Sequence, residues 1–221
     1  TVTIDTTAPT KTSVVTATTT TIAVTYSESI SSGSVATTDY TVNAIAPTGV
    51  SVSGAVVTLT VPAFGTGATP TVAQVSSVTD LAGNSLASFV AVAATDGVAP
   101  TINSAQTKTT TTIDVTFSED LDGTTVANTD FTVASNTVSG ATESSPGIVT
   151  LTLGTTIATN ATPNVSLVSG VNDVAGNTLA SAGPLTPTDG IKPTVSSAKI
   201  TGSNQFTVVF SEPTNSVASD F

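Results

Sequence analysis

The sequence predicts an all-β protein made of tandem β-sandwiches, and three observations carry that prediction. Apolar residues alternate with polar ones in short runs. Ile22, Val24 and Tyr26 are interleaved with Ala23 and Thr25, and Ile113, Val115 and Phe117 with Asp114 and Thr116, which is the two-residue period of a half-buried strand. Gly, Pro, Asn and Ser punctuate those runs, and no segment has the period of an amphipathic helix. The whole pattern also recurs. "TTTTIAVTYSESI" (18–30) returns as "TTTTIDVTFSEDL" (109–121) and again as "NQFTVVFSEPT" (204–214), with 91 residues from Ser27 to Ser118 and 93 from Ser118 to Ser211.

Along the first repeat, strand A is expected near 11–17 and strand B at 20–27, where Ile22, Val24 and Tyr26 form a core face. Strand C follows at 40–44, from "TTDYTV" (37–42), which is matched by "NTDFTV" (128–133). Strand D lies near 50–52, and strand E at 55–61 ("AVVTLTV", matched by "GIVTLTL" at 147–153). Strand F is expected at 71–78 and G at 86–94. Val72, Val75 and Val78 recur every three residues, as do Val165, Val168 and Val171. In so Thr- and Val-rich a run this spacing predicts a bulged strand. Phe206, Val208 and Phe210 repeat the core face of strand B in the third copy. About seven strands in about 90 residues is the count of an immunoglobulin-like sandwich. The disulfide and Trp of antibody domains are absent, since the chain has no Cys and no Trp, and its core is expected to be lean in aromatics.

The junctions carry their own signature: "IDTTAPT" (4–10), "ATDGVAPT" (94–101) and "PTDGIKPT" (187–194). The expected organisation is the end of a preceding repeat at 1–4, one sandwich at 5–95, a second at 96–188, and the start of a third at 189–221. Such a chain reads as a segment of a longer array.

Composition removes whole function classes. Without Cys, His, Met or Trp there is no thiolate chemistry, no Ser-His-Asp triad and no His- or Cys-held zinc, and no enzymatic role is expected. A formal net charge of −11, from 15 acids against 4 bases, argues against nucleic acid or an anionic membrane surface as partner. No apolar run is long enough for membrane insertion as a helix.

The order D-x-x-A-P, T-I-x-V-T-[YF]-S-E, D-[YF]-T-V and D-x-A-G-N resembles the bacterial Ig-like repeats of surface-layer proteins and very large secreted adhesins, over nearly the whole chain. That resemblance implies an extracellular, cell-surface, stacked and load-tolerant module that commonly binds calcium. It leaves three classes open: a surface-layer lattice or filament subunit, the stalk or binding module of an adhesin, and an accessory domain of a secreted hydrolase. Expected partners are copies of the chain itself or neighbouring Ig-like repeats. A surface glycan is a weaker expectation, since Tyr26 and Tyr40 are the only tyrosines.

Eleven of the 15 acids recur by position. Asp5, Asp96 and Asp189 share the linker position, Glu28, Glu119 and Glu212 end strand B, Asp39, Asp130 and Asp220 precede strand C, and Asp80 and Asp173 open the A-G-N turn. In a sandwich of this topology the linker, the end of B and the F to G turn lie at one pole. Asp5, Glu28, Asp80 and Asn84 are therefore expected together, as are Asp96, Glu119, Asp173 and Asn177, with Asp189 and Glu212 as the incomplete third set. Carboxylates about 5 Å apart repel by on the order of a few kcal/mol at an effective dielectric near 20, so each set favours a hard cation. Calcium, with six to eight oxygen ligands in flexible geometry, suits it best. The alternative for the A-G-N acids is plain turn capping, which is also the expected role of Asp39 and its equivalents. Asp114, Asp120, Asp122 and Glu143 are expected in solvent, Asp120 and Asp122 being near enough to Glu119 to join an ion.

Overall fold

Nine strands form from the first repeat in the computed structural model, which describes residues 4–214. They are β1 (Lys11–Thr18), β2 (Thr21–Tyr26), β3 (Tyr40–Val42), β4 (Gly49–Ser53), β5 (Val56–Thr60), β6 (Thr71–Gln74), β7 (Val78–Thr79), β8 (Ser85–Leu86) and β9 (Phe89–Ala93). One sheet has the order β1-β2-β5-β4 and the other β3-β6-β9, with β7-β8 as a separate hairpin. These are the ABED and CFG sheets of an immunoglobulin-like sandwich. The core between them comes from the alternation: Ile22, Val24, Val57, Leu59 and Val72 are fully buried.

The second repeat uses β10 (Ile102–Thr109), β11 (Thr112–Phe117), β12 (Phe131–Val133), β13 (Val138–Ser145), β14 (Ile148–Leu153), β15 (Val165–Leu167), β16 (Val171–Asn172), β17 (Thr178–Leu179) and β18 (Ala182–Leu185). Its sheets, β10-β11-β14-β13 and β12-β15-β18, repeat the same topology. A hairpin of β19 (Val195–Gly202) and β20 (Gln205–Phe210) follows. Among the described residues there is no α-helix, only four short 3-10 turns. The chain divides into two compact units: everything described up to Pro100 together with Asp173–Asn177, and Thr101–Asn172 together with the described residues from Thr178 onward. Residues 1–3, assigned above to a preceding repeat, and Asp220 lie outside the described residues.

One expectation changes. Strand F does not run from 71 to 78: β6 ends at Gln74, and Val75, the middle valine of the three-residue spacing, is 53 % exposed, as is Val168. Gln74 takes the inward place, because β6 keeps the two-residue pleat against β3 (Tyr40↔Gln74, Val42↔Val72). The irregularity lies against β9, where the register shifts between Val72 and Gln74. In the third copy the described residues comprise the β19-β20 hairpin, on which Phe206 is 61 % exposed.

The two cores differ at one coordinated place. In the first, buried Tyr26 donates from its hydroxyl to Oε1 of buried Gln74 at 2.7 Å and lies 2.6 Å from the Tyr40 hydroxyl. The Gln74 amide donates in turn to the backbone carbonyl oxygens of Ser76 (2.9 Å) and Leu86 (3.3 Å). In the second, Phe117, Phe131 and Leu167 hold the equivalent places and are all buried. A buried polar network is tolerated only when every member is satisfied; here all three members are polar together in one repeat and apolar together in the next.

Candidate metal centre

The site begins with the linker. Thr10 N–H donates to Ser27 Oγ at 2.9 Å and the Ser27 N–H returns a bond to the Thr10 carbonyl at 2.8 Å. The pairs Thr101 with Ser118 and Thr194 with Ser211 do the same. The Ser of each S-E motif thus fixes the residue after the linker proline, a role the sequence reading missed. Its only signal was that this Ser never varies among the three copies. Pinned there, the segment carries Asp5 alongside Glu28, the residue after Ser27. Asp5 also closes a local turn by accepting the Thr7 N–H at 3.0 Å.

The third member comes from the turn between β7 and β8. Asp80 is 2 % exposed and bridges to Ile30. One carboxylate oxygen accepts the N–H groups of Ala82 and Asn84, both at 2.8 Å, and the other accepts the Asn84 side-chain amide at 2.8 Å. Gly83 has φ of 90°, the left-handed turn that a side chain disfavours. Asp173, with Ala175, Gly176 and Asn177, repeats these bonds. Turn capping and a place in the acidic cluster are therefore not alternatives for Asp80. The same carboxylate does both.

Asp5, Glu28 and Asp80 each place a carboxylate oxygen within 4.8 Å of the others, and Asp5 and Glu28 also line a recess of about 380 Å³ with Ser29, Leu81 and Ala82. Burial, and then the charges of Asp5 and Asp80, push the Glu28 carboxyl above its ordinary value. Burial works to raise Asp80 too, but hydrogen bonds from Asn84, Ala82 and Gly83 hold it below its ordinary value. Asn84 does not turn an oxygen on the cluster through this contact: its amide nitrogen faces Asp80 and also reaches the Asp5 carbonyl at 3.2 Å. It orients the acids.

Asp96 and Asp173 both belong to the first compact unit and bring carboxylate oxygens within 4.8 Å of each other. Asp96 is further held by the buried Thr16 hydroxyl at 3.2 Å and the Val98 N–H at 3.0 Å. Glu119 follows β11 in the second unit. Asp189 repeats the linker bonds, accepting from Thr107 Oγ1 at 3.4 Å and Ile191 N–H at 3.0 Å. Burial and the Asp189 charge raise the Glu212 carboxyl. The sequence holds no third A-G-N turn for this set.

Asp120 is exposed, as expected, and the other described acids are occupied locally. Asp39 and Asp130 cap their turns, accepting from Ala36 and Ala127 at 2.7 Å. Asp122 is turned onto Thr124. Glu143 is not simply solvated as expected, since it accepts the Leu121 and Gly147 N–H groups at 3.0 and 2.8 Å. Asp114, also expected in solvent, accepts from Thr150 at 2.7 Å and lies 3.9 Å from Lys108. A larger recess of about 490 Å³, lined by residues such as Val42, Ile45, Val61 and Phe64, has no charged side chain in its wall.

With this geometry in place, one comparison bears on the fold's family. Residues 91–189 match the model of a bacterial Ig-like domain. That stretch spans the second repeat with its flanking linker aspartates, Asp96 and Asp189. The domains are Ig-like β-sandwiches, in agreement with the strand order of both repeats. Among solved structures, a crystal structure of the I9-I11 tandem from titin is 13 % identical, with 78 % of this chain and 64 % of that chain covered at a TM-score of 0.27. So loose a superposition leaves the fold resting on the strand order and the family match. None of the curated proteins matches the chain.

Proposed function

We propose that the chain is a structural module of an extracellular surface assembly, a lattice or filament of stacked Ig-like repeats, in which calcium fastens each linker to its sandwich. The observation that carries the reading is the convergence of Asp5, Glu28 and Asp80 within 4.8 Å. Three carboxylates brought from a linker, a strand end and a turn repel one another, and none of the three forms a salt bridge among the described residues. The donor set is all oxygen, which fits calcium and offers nothing to a softer metal. Asp5, Glu28 and Asp80 would hold the ion, and Asn84 would orient Asp80. Within the first unit Asp96 and Asp173, the latter oriented by Asn177, repeat two of these positions. A bound cation supplies charge neutralisation here, and the mechanical result is a linker that no longer swings freely. The family match to a bacterial Ig-like domain supports a surface or extracellular setting, where millimolar calcium would fill sites of this weak class.

Thermal melting and small-angle scattering with calcium, with magnesium and with chelator test the reading. Calcium should raise the melting temperature and narrow the spread of shapes, and magnesium should do less. If chelator changes neither, the calcium role is wrong. Electron microscopy of sheets or filaments on calcium addition tests the assembly role separately.

A further inference from the structure

We infer that β4 is a self-pairing edge through which two copies of the chain associate, antiparallel and centred on Ser51. An outer strand exposes unpaired backbone N–H and C=O groups that template another strand unless they are covered, bulged or charged. The comparable edges of these sheets are managed. β1 is covered by Thr95, whose N–H donates to the Val14 carbonyl at 2.9 Å and whose carbonyl accepts from Thr16 at 3.0 Å. β10 is covered in the same way by Thr188. β13 has two register shifts against β14, the charged Glu143, and the Asn128 amide donating to the Val138 carbonyl at 3.1 Å.

β4 has none of these devices. Its five residues, Gly-Val-Ser-Val-Ser, carry no charge and no proline, and they pair with β5 from Gly49↔Thr60 to Ser53↔Val56 without a shift. Beyond that ladder, no hydrogen bond to the backbone of Val50–Ser53 is made among the described residues.

The occupant is a second copy because the strand is its own complement. Val50-Ser51-Val52 is a palindrome, so a two-fold axis through Ser51 sets Val50 opposite Val52 of the other copy and Ser51 opposite itself. This is the isologous pairing that closes as a dimer. Val50 and Val52 are only partly buried at the rim of the first core, and the pairing covers them with their own kind, a favourable cross-strand contact. Five residues bury less than a stable interface needs, so the dimer forms at high local concentration, as when copies are tethered in an array.

The chain's lack of cysteine makes the test clean. Directly opposed residues of an antiparallel pair lie within disulfide reach, so Ser51→Cys in the whole chain should give oxidised dimers about tenfold faster than either of two controls, given the raised effective concentration. One control is Ser53→Cys, which the register sets opposite Gly49. The other is Thr142→Cys, the equivalent exposed place on β13. Equal rates for the three variants, or a faster control, would overturn the proposal. In sedimentation runs up to millimolar concentration the native chain should show a weak dimer that Ser51→Lys abolishes, with its thermal melting unchanged. A native chain that stays monomeric throughout would also overturn it.

Discussion

The hydroxyls of Tyr26 and Tyr40 lie 2.6 Å apart inside the first sandwich, and the Tyr26 proton is committed to Gln74. Gln74 Oε1 can only accept, so Tyr26 donates to it and the shared contact is donated by Tyr40. Tyr26→Phe should therefore leave two buried groups unsatisfied and cost about 1–3 kcal/mol. The triple change Tyr26→Phe, Tyr40→Phe and Gln74→Leu copies Phe117, Phe131 and Leu167 and should recover most of that loss. Chemical denaturation of the single and triple variants measures both.

The same pair makes the first sandwich sensitive to base. Burial, and then Tyr40, raise Tyr26 far above the ordinary tyrosine value. Burial pushes Tyr40 up to about 12; the Tyr26 hydroxyl, which can turn toward a phenolate, offsets part of this, and Asp39 adds to it. A raised folded-state value means stability that is complete below about pH 10, the unfolded tyrosine value, and is lost as pH climbs toward the folded values. Between about pH 10 and 12 the first sandwich should unfold while the second, with Phe in both places, persists. Near-ultraviolet absorbance and amide exchange followed by repeat would show the order.

Glu28 sets a second pH dependence, of acidic range. Its carboxyl is raised by burial and by Asp5 and Asp80, so its contribution to stability is present below the ordinary glutamate value and is lost as pH rises through the folded value. Without calcium, Glu28→Gln should therefore melt higher than the native chain at neutral pH. It should also respond less to added calcium. The native calcium response should shrink as the pH falls toward 4. Melting curves from pH 4 to 8 with calcium and with chelator read all three.

Gly97 has a steric reason. A Cβ there would stand 2.5 Å from the Thr16 carbonyl oxygen, while the Gly97 N–H donates to the Thr16 hydroxyl at 3.0 Å. Gly97→Ala should destabilise by about 1–3 kcal/mol through forced backbone movement, and Gly190→Ala, which meets the Thr107 carbonyl oxygen, should act alike. Equilibrium denaturation checks both.

The sequence by itself determined the sandwich class, the strands that carry the apolar alternation and the recurrence of the acids. These follow from a two-residue period and a repeat of about 90 residues, both local or one-dimensional properties. It also placed Asp5, Glu28 and Asp80 at one pole, because strand order fixes which ends meet. Only the tertiary structure decided what depends on competition for particular atoms. Val75 faces outward because β6 keeps its pleat against β3, which turns Gln74 inward, just as Leu167 is inward and Val168 exposed in the second repeat. Asn84 spends its amide on Asp80, since the turn brings donor to acceptor. Glu143 and Asp114 found bonds that no spacing announces. The β4 edge stands open while β1 is covered, since a hydrogen bond from Thr95, some 80 residues along the chain, is a matter of distance in space, which periodicity does not encode.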